Sequence, residues 1–125
     1  MDTDINKLTE AVIGAAIEVH RELGPGLLES AYQRALAHEL RLRQIPFEQQ
    51  QLCPVQYKDL IIDDAYRLDF LVNGVVVVEL KTVDGLLEVH DAQVLTYLKF
   101  TGCHIGLLMN FRSTTLTKGL RRFAL

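Results

Sequence analysis

Asp69, Glu79 and Lys81 are the side chains of this sequence best placed to do chemistry, because each interrupts a run that otherwise asks to be buried. The surrounding segments, Leu68-Asp69-Phe70-Leu71-Val72 and Val75-Val76-Val77-Val78, are strongly β-prone. A charge inside such a strand is costly unless it is paired or coordinates something. Two carboxylates brought to about 4 Å at an effective dielectric of ~20 repel by about 4 kcal/mol. Lys81 can offset that repulsion, which gives an ion-paired strand edge. A hard divalent cation can also offset it, since Mg²⁺ is commonly held by one or two carboxylates plus phosphate oxygens of a substrate.

What must bring these groups together is a hairpin. Asn73-Gly74 lies between the two runs, and both residues tolerate positive φ. A two-residue loop would oppose Val72 to Val75 and mix charged and apolar side chains on both faces. A three-residue loop, Val72-Asn73-Gly74 with Gly74 left-handed, sorts them. Leu68, Phe70, Val72, Val76, Val78 and Leu80 then share one face. Arg67, Asp69, Glu79 and Lys81 share the other with Leu71, Val75 and Val77. A one-residue slip exchanges the faces, so the pattern predicts the three-residue loop.

Leu8, Val12, Ala15, Ala16, Val19 and Leu23 recur at helical spacing and predict a helix over about 6–23, stopped by Gly24-Pro25-Gly26. His20 lies in its last turn, where it can interact with the helix dipole. A second helix is predicted over about 27–44, with Leu28, Tyr32, Ala35, Leu36 and Leu40 on one face. Glu29 falls in its first turn, where the dipole favours a carboxylate. A strand over 47–57 is marked as an edge by Pro54. After a turn at Lys58-Asp59, a short strand at 60–62 and a second turn at Asp63-Asp64 lead to the hairpin.

Beyond Lys81, a helix over about 88–101 directs Val94, Leu95, Leu98 and Ala92 to the core. His90, Gln93 and Tyr97 form a separate polar stripe, either solvated or able to orient substrate phosphates. Gly102 caps this helix, and 103–110 reads as a buried strand, so a parallel pairing with a right-handed crossover is expected. The tail 113–125 is strand-like or short helical. The expected architecture is one α/β domain over residues 1–125, with a mixed central sheet and helices against its faces.

Hydrophobic content of 49% with 23% charged residues fits a soluble globular domain. No apolar run approaches the ~20 residues of a membrane span, and the first residues do not resemble a signal peptide. Cys53 and Cys103 lack metal-ligand spacing; as two free thiols they suit a reducing cytoplasm, and a single disulfide between them is the alternative. The net charge of −3 hides an asymmetry: residues 92–125 hold five bases (Lys99, Arg112, Lys118, Arg121, Arg122) and no acid. That segment permits a local phosphate-binding surface or a solvated basic end.

Asp69 followed by Glu79-Leu80-Lys81 after a hairpin resembles the core of the PD-(D/E)XK nuclease superfamily. Gly26-Leu27-Leu28-Glu29-Ser30-Ala31-Tyr32 matches the pattern that names the GxxExxY protein family. Gln93-Val94-Leu95-Thr96-Tyr97 matches the QxxxY motif of RecB-like and phage-exonuclease-like members. The resemblance covers about residues 8–122, and Leu68 stands where a Pro is typical. It implies a restriction-endonuclease-like core and a Mg²⁺- or Mn²⁺-dependent phosphodiester hydrolase acting on nucleic acid, with DNA as the expected substrate. Asp69, Glu79, the Leu80 carbonyl and Glu29 would hold the metal. Lys81 would orient water or stabilise charge, and Gln93, Tyr97 and Tyr32 would contact substrate. A catalytically silent module of the same fold, binding nucleic acid or a protein partner, is the alternative. A homodimer is compatible with so small a chain.

Overall fold

The computed structural model describes residues 2–125, with side chains from Asp4 onward. The elements are α1 (Asp2–Leu23), α2 (Glu29–Leu42), β1 (Phe47–Tyr57), β2 (Leu60–Val72), β3 (Val76–Lys81), α3 (Glu88–Thr101), β4 (Ile105–Asn110) and β5 (Leu120–Ala124). A 3₁₀ turn at Leu116–Gly119 precedes β5. The strands form one sheet in sequence order, antiparallel except for the expected parallel pair β3–β4.

Strand alternation assigns the helices to the two faces. Phe70, Val72, Val76, Val78, Leu80, Leu107 and Met109 pack with Val12, Ala15 and Val19 of α1 and with Tyr32, Leu36 and Leu40 of α2. Val77 and Leu108 point the other way, against Val94, Tyr97 and Leu98 of α3. β4 is buried at every position, as a strand covered on both faces must be. Gly106 sets how closely α3 approaches, because a Cβ there would lie 2.7 Å from Val94 Cγ1. Gly106→Ala is therefore expected to destabilise the domain by about 1–3 kcal/mol in urea titration. An unchanged midpoint would mean that α3 has room to retreat.

The hairpin loop has three residues, but they are Asn73, Gly74 and Val75 rather than Val72, Asn73 and Gly74. Val72 pairs with Val76, Leu71 with Val77 and Phe70 with Val78. Asn73 and Gly74 have φ of 51° and 70°, and Val75 N–H donates to the Val72 carbonyl at 3.0 Å. The two left-handed residues close the turn by themselves, so Val75 becomes the extra residue that bulges from the ladder.

Leu68 departs from the predicted face. It lies with Tyr66 on the α3 side, not with Phe70. The β2–β3 pairing ends at Phe70 and Val78, and Gln50, opposite Asp69 on β1, has φ of 55°. The alternation of β2 slips by one residue at Asp69.

β2 also runs unbroken through Asp63-Asp64, where the sequence predicts a turn. Val55, Gln56 and Tyr57 pair with Ile62, Ile61 and Leu60, and the register shifts at Pro54. Asp63, Asp64 and Ala65 form a bulge opposite a residue with no N–H to give. α3 has the predicted bounds and its left-handed Gly102 cap. Ala92 and Leu95, however, are exposed, and Tyr97 is buried in their stead, stacked on Tyr66 at 4.9 Å. Leu28 precedes α2 and is exposed rather than part of its apolar face.

Candidate active site

Where β2 parts from β3, side chains replace the missing main-chain ladder. Asp69 Oδ2 accepts the Leu80 N–H at 2.9 Å, and the Asp69 N–H donates to Glu79 Oε1 at 3.1 Å. The two acids thus meet in one gap. Glu79 is only 4% exposed. Burial, followed by the neighbouring Asp69 charge, pushes its carboxyl up to about 8, against the opposing pull of the Asp69 N–H and Lys81. A carboxyl held protonated beside a like-charged neighbour is one that a cation would ionise.

Glu29 enters from the first turn of α2. Burial and then the Asp69 charge raise its carboxyl, while Lys81 and a hydrogen bond from Gln33 lower it. Gln33 Nε2 donates to Glu29 Oε2 at 3.5 Å and Gln50 Nε2 donates to Gln33 Oε1. The same Gln50 nitrogen reaches Asp69 Oδ1 at 3.4 Å. Two amides therefore link the helix acid to the strand acid. Neither glutamine is predicted from sequence. Gln33 could have been found from its i, i+4 spacing to Glu29. Gln50 could not, because its left-handed backbone is unusual for its residue type.

Among the described residues, no three His, Cys, Asp or Glu side chains gather so as to hold a metal ion. A hard divalent cation does not require three, since one or two carboxylates completed by water and substrate oxygens suffice for Mg²⁺. Asp69 and Glu79 each spend one oxygen on a peptide N–H, and the second oxygen of Asp69 takes only the long 3.4 Å contact from Gln50. That donor set fits such an ion, with Glu29 at its rim.

Lys81 closes β3 opposite Asn110, and its carbonyl accepts the Phe111 N–H at 2.9 Å. Its ammonium forms no ion pair among the described residues. Asn110 is buried and clamps the chain leaving Lys81, accepting the Val83 N–H at 3.1 Å and donating to the Val83 carbonyl at 2.8 Å. On α3, Gln93 Nε2 donates to the Tyr97 hydroxyl at 2.8 Å. Burial and then the Glu79 charge raise the Tyr97 phenol, which places it in the electrostatic range of the acid gap.

Other candidates stand elsewhere. Tyr32 is fully buried and stacked on Phe111 at 4.7 Å. Its hydroxyl donates to the Gly24 carbonyl and accepts the Leu27 N–H at 3.0 Å. It has no surface for the expected substrate contact and instead braces the loop that delivers Glu29. His90 Nδ1 accepts the Leu87 N–H at 2.9 Å and so caps α3. His20, in the last turn of α1, is buried and donates to the Ser113 carbonyl at 2.8 Å, so it does not face the acid gap. Of the C-terminal bases, Arg112 pairs with Asp84 and Arg121 with Asp91, and Arg122 donates to Asn6.

A mixed sheet between α1–α2 and α3, with Asp on one hairpin strand and Glu-x-Lys on the next, has the restriction-endonuclease-like α/β architecture. Comparison with protein families agrees: residues 6–123 match the PD-(D/E)XK nuclease superfamily, and the chain belongs to it. Membership suggests a nuclease and, with it, a nucleic-acid substrate. No curated protein and no solved structure matches the chain. No helix among the described residues is long and apolar enough to cross a membrane.

Proposed function

We propose that the chain is a Mg²⁺- or Mn²⁺-dependent nuclease that hydrolyses phosphodiester bonds in DNA, and that it falls in the GxxExxY group of its superfamily. The observation that carries this reading is the reciprocal contact of Asp69 and Glu79 across the break in the sheet. Asp69 and Glu79 would hold the ion, with the Leu80 carbonyl and Glu29 completing the protein's share. When bound, the ion lowers the pKa of a coordinated water and neutralises charge on the phosphate.

The remaining work belongs to side chains. Lys81, two residues beyond Glu79 on the same strand face, orients the attacking water or stabilises the charge that develops on the phosphate. Tyr97 keeps its proton at neutral pH, because burial disfavours the phenolate, so it can donate to a phosphate oxygen while Gln93 fixes its rotamer. Two free thiols suit a reducing compartment such as the cytoplasm.

The test pairs two measurements. Plasmid and linear DNA incubated with Mg²⁺ or Mn²⁺ should be cleaved by the wild type well above the Lys81→Ala background. Calorimetric titration with Mn²⁺ should show binding that Asp69→Ala removes. Absence of cleavage together with Mn²⁺ heats unchanged in Asp69→Ala would retire the proposal.

A further inference from the structure

Unpaired cations lie on α2 as well as at the C-terminal end, where Lys99, Lys118 and Arg122 form no ion pair among the described residues. Arg34, His38 and Arg41 fall at i, i+4 and i+7 and line one side of a groove of about 700 Å³ between α2 and β1. Ala35 and Gln49 help form its floor. Arg34 and Arg41 form no ion pair among the described residues. Glu39, the acid on this stretch of helix, is already paired with Arg43 at 2.8 Å. Arg41 rests its guanidinium 5.2 Å over the Phe47 ring, which orders the side chain without neutralising it.

Position gives this stripe its meaning. Gln49 precedes Gln50, whose amide reaches Asp69, and Gln33 on the same helix holds Glu29. The groove therefore borders the helix that carries Glu29 and the strand whose Gln50 reaches Asp69. Guanidinium groups are suited to phosphate by their planar forked donors. An open trough with a small-residue floor admits a linear polyanion rather than a compact anion.

We infer that the α2–β1 groove carries the sugar-phosphate backbone of DNA on its way to the Asp69–Glu79 gap, with Arg34 and Arg41 each meeting a phosphate. This rests on the nuclease reading above. Each phosphate contact contributes about 0.9 to the slope of log affinity against log salt, or roughly eightfold in affinity per tenfold change in salt.

The experiment is fluorescence anisotropy of a labelled DNA duplex and its separated strand, titrated across salt in EDTA so that cleavage does not intervene. Arg34→Ala and Arg41→Ala should each lower the salt slope by about 1 and weaken binding roughly eightfold at about 0.1 M salt. Arg112→Ala and Arg121→Ala, which remove paired charges, should leave both quantities unchanged. Melting curves confirm that each variant is folded, as expected for exposed positions. The inference is overturned if the Arg34→Ala/Arg41→Ala double variant binds like the wild type, or if the wild type binds neither DNA. Cleavage measured in parallel with Mg²⁺ separates the two claims. Arginine-dependent binding without cleavage upholds the groove and sinks the nuclease reading, whereas cleavage with arginine-independent binding does the reverse.

Discussion

Lys81→Ala is expected to slow metal-dependent DNA cleavage by about 10²–10³-fold while leaving Mn²⁺ affinity within about threefold, since removing one preorganised stabiliser of developing charge typically has an effect of that size on rate. The separation of the two readouts follows from the geometry. Lys81 lies at the end of β3 with its carbonyl fixed by Phe111 and its ammonium outside any ion pair among the described residues. Its removal leaves the oxygens of Asp69 and Glu79 where they are. Asp69→Ala, by contrast, removes both a carboxylate and the acceptor for the Leu80 N–H, so it should abolish binding and lower stability together. Single-turnover cleavage and Mn²⁺ calorimetry on the same preparations decide the point. A Lys81→Ala protein with the wild-type rate would remove the lysine from the mechanism.

The second large effect concerns acidity. In EDTA, the wild type should lose stability as pH rises from about 5 to about 8. Glu79 has its carboxyl pushed up to about 8 in the folded chain against an ordinary 4.5. The folded state therefore holds a proton that the unfolded state releases, and stability falls as pH climbs through that interval. The steepest contribution from one such group is about 1.4 kcal/mol per pH unit. Glu29, raised in the same direction, adds to the trend. Glu79→Gln keeps an oxygen for the Asp69 N–H but cannot ionise, so its melting temperature should be flatter across the same range. Mn²⁺ displaces that proton, so its affinity for the wild type should rise up to about tenfold per pH unit below 8. Parallel pH profiles for wild type and Glu79→Gln in EDTA would refute the account.

Most of the architecture was legible because period and punctuation agree. The bounds of β1 and α3, the stop at Gly24 and the Gly102 cap all follow from residues whose backbone preferences are strong. The convergence of Asp69 and Glu79 was legible because only one parity sorts the hairpin. What escaped prediction depends on pairing between distant segments. Asp63-Asp64 reads locally as a turn, but β1 continues alongside it and stretches it into a bulge. Leu68 reads as a neighbour of Phe70 until the ladder breaks beside it. Tyr97 reads as a polar-stripe residue, yet Tyr66, 31 positions earlier, offers a ring to stack against and draws it inward. The amide link through Gln33 and Gln50 joins a helix to a strand seventeen residues away, which no local pattern records. Of the five bases in 92–125, Arg112 and Arg121 are paired with Asp84 and Asp91, acids that lie outside the segment and that its composition therefore does not record.

The break between β2 and β3 imposes different obligations on its three charged residues. Asp69 and Glu79 each satisfy a peptide N–H that the sheet itself has abandoned, so both positions serve the fold whether or not an ion is bound. Lys81 has no such tenure. Under the proposed function, it is therefore the lysine rather than the acid pair whose loss would separate catalysis from folding.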